Sequence, residues 1–504
     1  MVYEIWKGFM KLNIWTLLLI VTFIGCKKDP HNGGVNYAYL GGQIINPTSN
    51  FVVISKGQET LDTVKLDGYN KFIFKIDSLQ EGLYTFKHGD EFQMVLLEPQ
   101  DSLLLRLNTI DFDESLVYTG QGSKKNNYFT NEFLQNEIEV KKIFKYCQLD
   151  PKIYEKHIES IKTKKNKALN EFKEKYETTS LFNKMAQANI DYNYYHNKEI
   201  YPFIHYGKNK AEILASLPDD FYAYRKQVNY NDNLLKDYFT YHSFLRSNIN
   251  NLGLEMHLDH ADKDYIDRNS VCYTMDKLHL IDSLITNRPI KNDLLYHYTI
   301  TFLTKCKKDN YREATIKSFL KKSDDKEKNE IVKRYAASLK SLKEGNYLPE
   351  VAIRNFKNET FNLNSKLHKT TVIAFWSHTH INHFKESHYK IKKLKKKYPE
   401  VTFVHINIDN YDLETTKKTL KGNNIHFDNE YQFENSEKAK ELLAIYPLTK
   451  TIIVDKDKRI VESSSNIFDI TQSSNAIIGS NDKIIADEND HTAIDSASNN
   501  NNIK

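Results

Sequence analysis

The sequence predicts an α/β unit at its C-terminal end, preceded by a small β-sandwich and a mostly helical middle region. Three patterns carry this. Residues 37–124 hold short β-branched and aromatic runs cut by Asn, Asp, Gly and Pro at near-regular spacing. Residues 125–345 hold long Lys/Glu-rich segments with apolar residues at three- and four-residue steps and little Gly. Residues 346–468 alternate strand and helix patterns and close on a hairpin.

The chain of 504 residues is long enough for two or three cores. The mean hydropathy of -0.61 argues against a polytopic membrane protein, and the net charge of +5 implies no nucleic-acid partner. Residues 1–25 read as a signal segment: Lys11 precedes the apolar run Leu12 to Gly25, too short for a usual membrane span. The run ends in Phe23-Ile-Gly-Cys26, which resembles a bacterial lipobox, with Phe23 in place of the commoner Leu. That resemblance implies acylation of Cys26, each buried methylene adding about 0.8 kcal/mol of membrane affinity. Residues 26–36 are a linker, and Lys27-Lys28-Asp29 looks like the start of many Bacteroidetes lipoproteins. The expected location is the cell envelope, anchored to a bacterial membrane and facing the periplasm or the cell surface.

In the sandwich segment the runs Phe51–Ile54, Thr60–Leu66, Phe72–Ile76 and Phe92–Leu97 are the clearest strands. In the helical region the Tyr-dense stretches Ala188–His196 and Leu217–Arg225 are read as core. In the last unit, strand Thr371–Trp376 leads through a short loop into a helix that ends in the basic run Lys390–Lys397. A strand at Val401–Asp409, helical stretches near Asp412 and at Ser436–Ala444, and a hairpin around Lys456-Asp-Lys458 follow. Residues 469–504 are Ser-, Asn- and Asp-rich and read as a disordered tail.

The elbow Phe375-Trp376-Ser-His-Thr-His-Ile-Asn-His383 resembles the active-site loop of the TlpA/ResA-like group of thioredoxin-fold, membrane-anchored thiol–disulfide reductases. Ser377, His378 and Thr379 stand at the group's Ala-Thr-Trp positions, and His380-Ile-Asn-His383 replaces Cys-Gly-Pro-Cys. Glu386 matches an acidic residue three positions after the second Cys. Asp455 to Ile460 resembles the Asp-Lys-x-Gly-x-Ile hairpin, with Lys458 in place of Gly. The resemblance implies a thioredoxin-like fold and a cis-proline beside the site, at Thr449 by counting back from Asp455 or at Pro447 with a shift in register.

The same positions withhold the group's reaction. Disulfide exchange proceeds by thiolate attack on sulfur, which imidazole cannot perform. Cys147, Cys272 and Cys306 lie far apart in the helical region and form no Cys-x-x-Cys. The sequence thus leans away from an enzyme and towards a redox-inactive binding or scaffold protein with an unknown envelope partner and no cofactor. Two alternatives stay open: a copper or zinc carrier using His378, His380 and His383, since imidazole suits both metals, and an oxidoreductase without a Cys-x-x-Cys mechanism.

Overall fold

The computed structural model describes residues 36–470 apart from 58, 90, 208, 261–266, 268 and 411. The signal segment, Cys26, all of the linker but residue 36, and the tail beyond Ile470 lie outside the described residues. No helix among the described residues is long and apolar enough to cross a membrane.

The N-terminal strands are β1 (Tyr37–Ile45), β2 (Phe51–Lys56), β3 (Glu59–Lys65), β4 (Lys71–Asp77), β5 (Gly82–His88), β6 (Glu91–Leu97), β7 (Ser102–Asn108) and β8 (Val117–Gln121). They form two sheets, ordered β4-β1-β7-β8 and β3-β2-β5-β6, over a shared apolar core. Strand β7 shows why: Leu103, Leu105 and Leu107 are buried while Ser102, Leu104 and Arg106 face out, the period-two alternation of a half-buried strand.

A polar knot ties this sandwich to the first helix, α1 (Ser123–Tyr146). Lys125 Nζ donates to Glu98 Oε2 at 2.7 Å and Asp101 Oδ2 at 2.6 Å. The Asn126 side chain accepts from the Leu96 N–H at 2.8 Å and donates to the Leu96 carbonyl at 3.0 Å. Asn127 does the same to Tyr118, at 2.9 and 2.8 Å. At Gly120, φ is +88° and a Cβ would lie 2.1 Å from the Ser102 carbonyl oxygen, so only glycine fits there.

The middle region continues with α2 (Pro151–Lys175), α3 (Ser180–Ile204), α4 (Lys210–Ala215), α5 (Phe239–Leu258), α6 (Val271–Leu284), α7 (Arg288–Lys305), α8 (Asp309–Lys322) and α9 (Lys326–Ser341). Of the Tyr-dense stretches, Tyr192, Phe221 and Tyr224 are buried, whereas Tyr194, Tyr195 and Tyr222 are half-buried. Glu199, fully buried on α3, receives Arg225 Nε and Nη2 at 2.8 and 2.6 Å and Asn248 and Asn251 at 2.6 and 2.7 Å. A buried carboxylate is tolerable only when its lone pairs are met in this way.

The C-terminal unit comprises β9 (Ala352–Arg354), β10 (Thr360–Asn362), β11 (Thr371–Trp376), α10 (Ile381–Lys397), β12 (Thr402–Asn407), α11 (Leu413–Gly422), β13 (Glu430–Phe433), α12 (Ser436–Leu442), β14 (Lys450–Val454) and β15 (Ile460–Asn466). Its sheet runs β10-β9-β13-β12-β11-β14-β15. β11 and β12 are parallel, joined through α10, whereas β14 pairs antiparallel with β11 and β15 with β14. A parallel β-α-β unit extended by an antiparallel hairpin is the thioredoxin-like arrangement. The short strands β9, β10 and β13 were not foreseen, because three or four residues hold too little pattern to register. Ile470, assigned to the tail by composition, is fully buried against this unit. One continuous apolar core joins Phe319 and Val332 of the helical region to Ile353 and Phe375 of the sheet.

Candidate functional site

Every residue of β11 is buried, and the strand delivers Trp376 to the head of α10. The loop between them is pinned to the end of β12. Ser377 Oγ donates to Asp409 Oδ1 at 2.7 Å, and the His378 N–H donates to Asp409 Oδ2 at 2.7 Å. The His378 ring turns towards α11, with Nδ1 2.9 Å from Thr419 Oγ1 and Nε2 3.4 Å from Thr416 Oγ1. Burial pushes its pKa down, against the opposing pull of Asp409 and Asp412.

His380, half-buried, is the N-cap residue of α10, and His383 sits in the first turn, 6% exposed. Both ring nitrogens of His383 are buried without a hydrogen-bond partner. Desolvation pushes its pKa down to about 3, helped by His405, His380 and His388. His378 and His383 therefore face different neighbours, and the trio of His378, His380 and His383 is not among the groups of the described residues close enough to share an ion. The Tyr446–Pro447 peptide is cis, so of the two positions considered it is Pro447 that is cis, not Thr449. Glu386 is exposed on the outer face of α10.

The groups that do converge include residues that sequence reasoning passed over. His388 lies on α10, five residues beyond His383, a step that the helical wheel places off the same face. The structure nevertheless turns its ring inward, 4.4 Å from Phe384 and 4.1 Å from His405 of β12. His388 Nε2 and His405 Nδ1 lie 3.3 and 3.5 Å from Glu430 Oε1 of β13. Burial lowers the His405 pKa to about 4, with His388 adding to the effect. Burial alone would raise that of Glu430, but the two histidines hold it below the usual carboxylate range. A second group, His257, His260, Cys272 and Asp276, lies at the junction of α5 and α6. There Asp276 Oδ2 sits 3.1 Å from His257 Nδ1 and 3.2 Å from His260 Nε2. No local motif announced the first group, which is assembled from a helix and two strands, with Glu430 in a strand too short to read; the second pairs His257 with His260 and Cys272 with Asp276 at helical spacing.

Chemically, the elbow offers imidazoles where a dithiol would be needed. The cysteines of the described residues, Cys147, Cys272 and Cys306, are all free and lie in the helical region. Cys147 and Cys306 are buried, and burial pushes the Cys147 thiol up to about 12, leaving it inert near neutral pH.

No known family profile matches the chain, and no curated protein matches it. Among solved structures it is similar to the thioredoxin domain of a thiol-disulfide oxidoreductase from Bacteroides vulgatus: 21% identity, TM-score 0.24, covering 28% of this chain and 100% of that one. It is also similar to a thiol:disulfide interchange protein from a Bacteroides species, with 20% identity and TM-score 0.22, covering 30% of this chain and 97% of that one. A thioredoxin-like protein from Bacteroides caccae is 11% identical with TM-score 0.30, covering 42% of this chain and 78% of that one. Likenesses this distant carry no function across. The strand order and connections described above stand without them, and they make the C-terminal unit thioredoxin-like in fold.

Proposed function

We propose that this chain is a cell-envelope lipoprotein, anchored to a bacterial membrane through acylated Cys26, whose thioredoxin-like unit is redox-silent and serves to bind a protein partner. The carrying observation is the elbow itself. His380 and His383 occupy the head of α10, where relatives of this fold place a dithiol, and imidazole cannot form the mixed disulfide that exchange requires. A cleft of about 610 Å³ supports the binding role. It is bordered by Thr85 and Met94 of the sandwich, Phe239, Arg246 and Tyr335 of the helical region, and Tyr446 beside Pro447. Lys236, Asp237, Asp293 and Lys328 add charge of both signs to its lining.

The purified mature protein should leave insulin disulfides intact in the presence of dithiothreitol at levels where a thioredoxin reduces them. Measurable acceleration of insulin reduction would end the redox-silent reading. Radiolabelled palmitate should enter the full-length chain and fail to enter a Cys26→Ala variant; equal labelling of both would remove the anchor at Cys26.

A further inference from the structure

We propose that His388, His405 and Glu430 form a binding site for a divalent cation of the zinc class, in the interior of the thioredoxin-like unit beneath the elbow. The hydrogen bonding of His388 leads to it. Its Nδ1 lies 2.7 Å from the Phe384 carbonyl oxygen, which can only accept, so Nδ1 carries the proton. In the neutral ring Nε2 then presents a lone pair, aimed at a carboxylate oxygen 3.3 Å away. Two electron-rich atoms that close repel each other unless a proton or a metal cation lies between them.

The same Glu430 oxygen lies 3.5 Å from His405 Nδ1, and one donor atom from each of the three residues falls within 4.8 Å of the others. Donors arranged around a single zinc-sized ion, each about 2.0–2.2 Å from it, have separations of this order. Two histidines and a glutamate also make up a known three-ligand zinc set that leaves a position open.

The unmet polar atoms point the same way. His388 Nε2, both nitrogens of His405 and Glu430 Oε2 are buried without a hydrogen-bond partner. So are both nitrogens of His383, which is not among the residues whose donor atoms converge here. Native interiors rarely leave one buried polar atom unpaired, let alone a group of them. A bound cation would satisfy the lone pairs and neutralise the Glu430 charge. The Nδ1–H to backbone carbonyl bond of His388 is the kind that orients a ligating histidine, and the flanking Trp376 and Phe384 keep water away. The His257, His260, Cys272 and Asp276 group differs in that its carboxylate already meets both imidazoles, so it needs no ion to be satisfied.

The test uses the tag-free mature chain, stripped with chelator and titrated with cobalt(II) chloride, then with zinc chloride against a chromophoric chelator. One equivalent should bind at micromolar concentration or tighter. The cobalt form should show visible bands of low coordination number and no thiolate-to-cobalt charge transfer. Glu430→Gln and His405→Gln should each weaken binding by at least about tenfold, the lower limit seen even for partners one step removed from a metal. The double variant His260→Ala/Cys272→Ala should bind as the wild type does. Should Glu430→Gln and His405→Gln fail to fold, the zinc-induced rise in Tm decides: it should persist in His260→Ala/Cys272→Ala and vanish in His388→Gln, the least buried of the three positions. No uptake by the wild type would leave an imidazolium–carboxylate pair only and overturn the proposal. A thiolate band, or binding lost in His260→Ala/Cys272→Ala, would overturn it by moving the ion to the helical region. Neither outcome bears on insulin reduction, so this site and redox silence stand or fall separately.

Discussion

His388 on α10 and His405 on β12 hold their rings 4.1 Å apart across a helix–sheet interface, and both face one carboxylate, Glu430. Titratable groups packed this tightly in an interior make stability depend on pH. Burial depresses the folded-state pKa of His405 to about 4 and that of His383 to about 3. Below their ordinary value of about 6.5 the unfolded chain takes up protons that the folded chain refuses, so stability falls with pH from there down towards 4 and 3. At about pH 5 the loss should reach at most roughly 2 kcal/mol per ring in metal-free protein. Urea midpoints at pH 7 and pH 5 measure it, and His383→Phe should shrink the difference. An unchanged pH dependence in that variant would place the acid sensitivity elsewhere.

Arg225 and Glu199 form the second relationship with a measurable consequence. Truncation by Arg225→Ala strands a fully buried carboxylate, which should cost about 3–5 kcal/mol in equilibrium denaturation. Replacing both, as in Glu199→Gln/Arg225→Met, should cost less, because no buried charge is then left unmet and the Gln oxygen still accepts from a neighbouring donor. A milder effect from the single variant than from the double would contradict this account.

The knot between sandwich and helix is testable at Asn126. Asn126→Ala leaves the N–H and the carbonyl of Leu96 unpaired in an interior, at about 1–3 kcal/mol for each group. Thermal unfolding should show a lower Tm, and hydrogen exchange should speed up along β6. A loss confined to the C-terminal unit would argue against the knot.

Returning thiols to the elbow tests whether the scaffold still supports the lost chemistry. In His380→Cys/His383→Cys the two thiols stand at the head of α10, where the helix dipole and free N–H groups stabilise a thiolate. The variant should form an intramolecular disulfide under mild oxidation, seen as resistance to alkylation by mass spectrometry, and should gain insulin reduction that the wild type lacks. Two freely alkylated thiols after oxidation would show that the elbow geometry differs from a working one.

How much of this was legible beforehand differs from element to element. Strand β11 could be read because six consecutive apolar or β-branched residues have few other uses, and β7 because its leucines alternate. The elbow could be read because Phe375-Trp376 precedes it. β13 could not, since Glu430-Tyr-Gln-Phe433 has no period long enough to count. His388 stands five residues beyond His383, off the same helical face, yet its ring packs inward against Phe384 and His405. Glu386, the acid that motif matching favours, is exposed, and the buried acid is Glu430.

By itself, then, the sequence determined the local elements and the absence of a thiol at the elbow, because backbone preference, side-chain period and residue identity are properties of short stretches of chain. Only the tertiary structure decided which histidines meet. Strand pairing brings β12 and β13 side by side and α10 packs over them, so His388, His405 and Glu430 converge through contacts that no local pattern encodes.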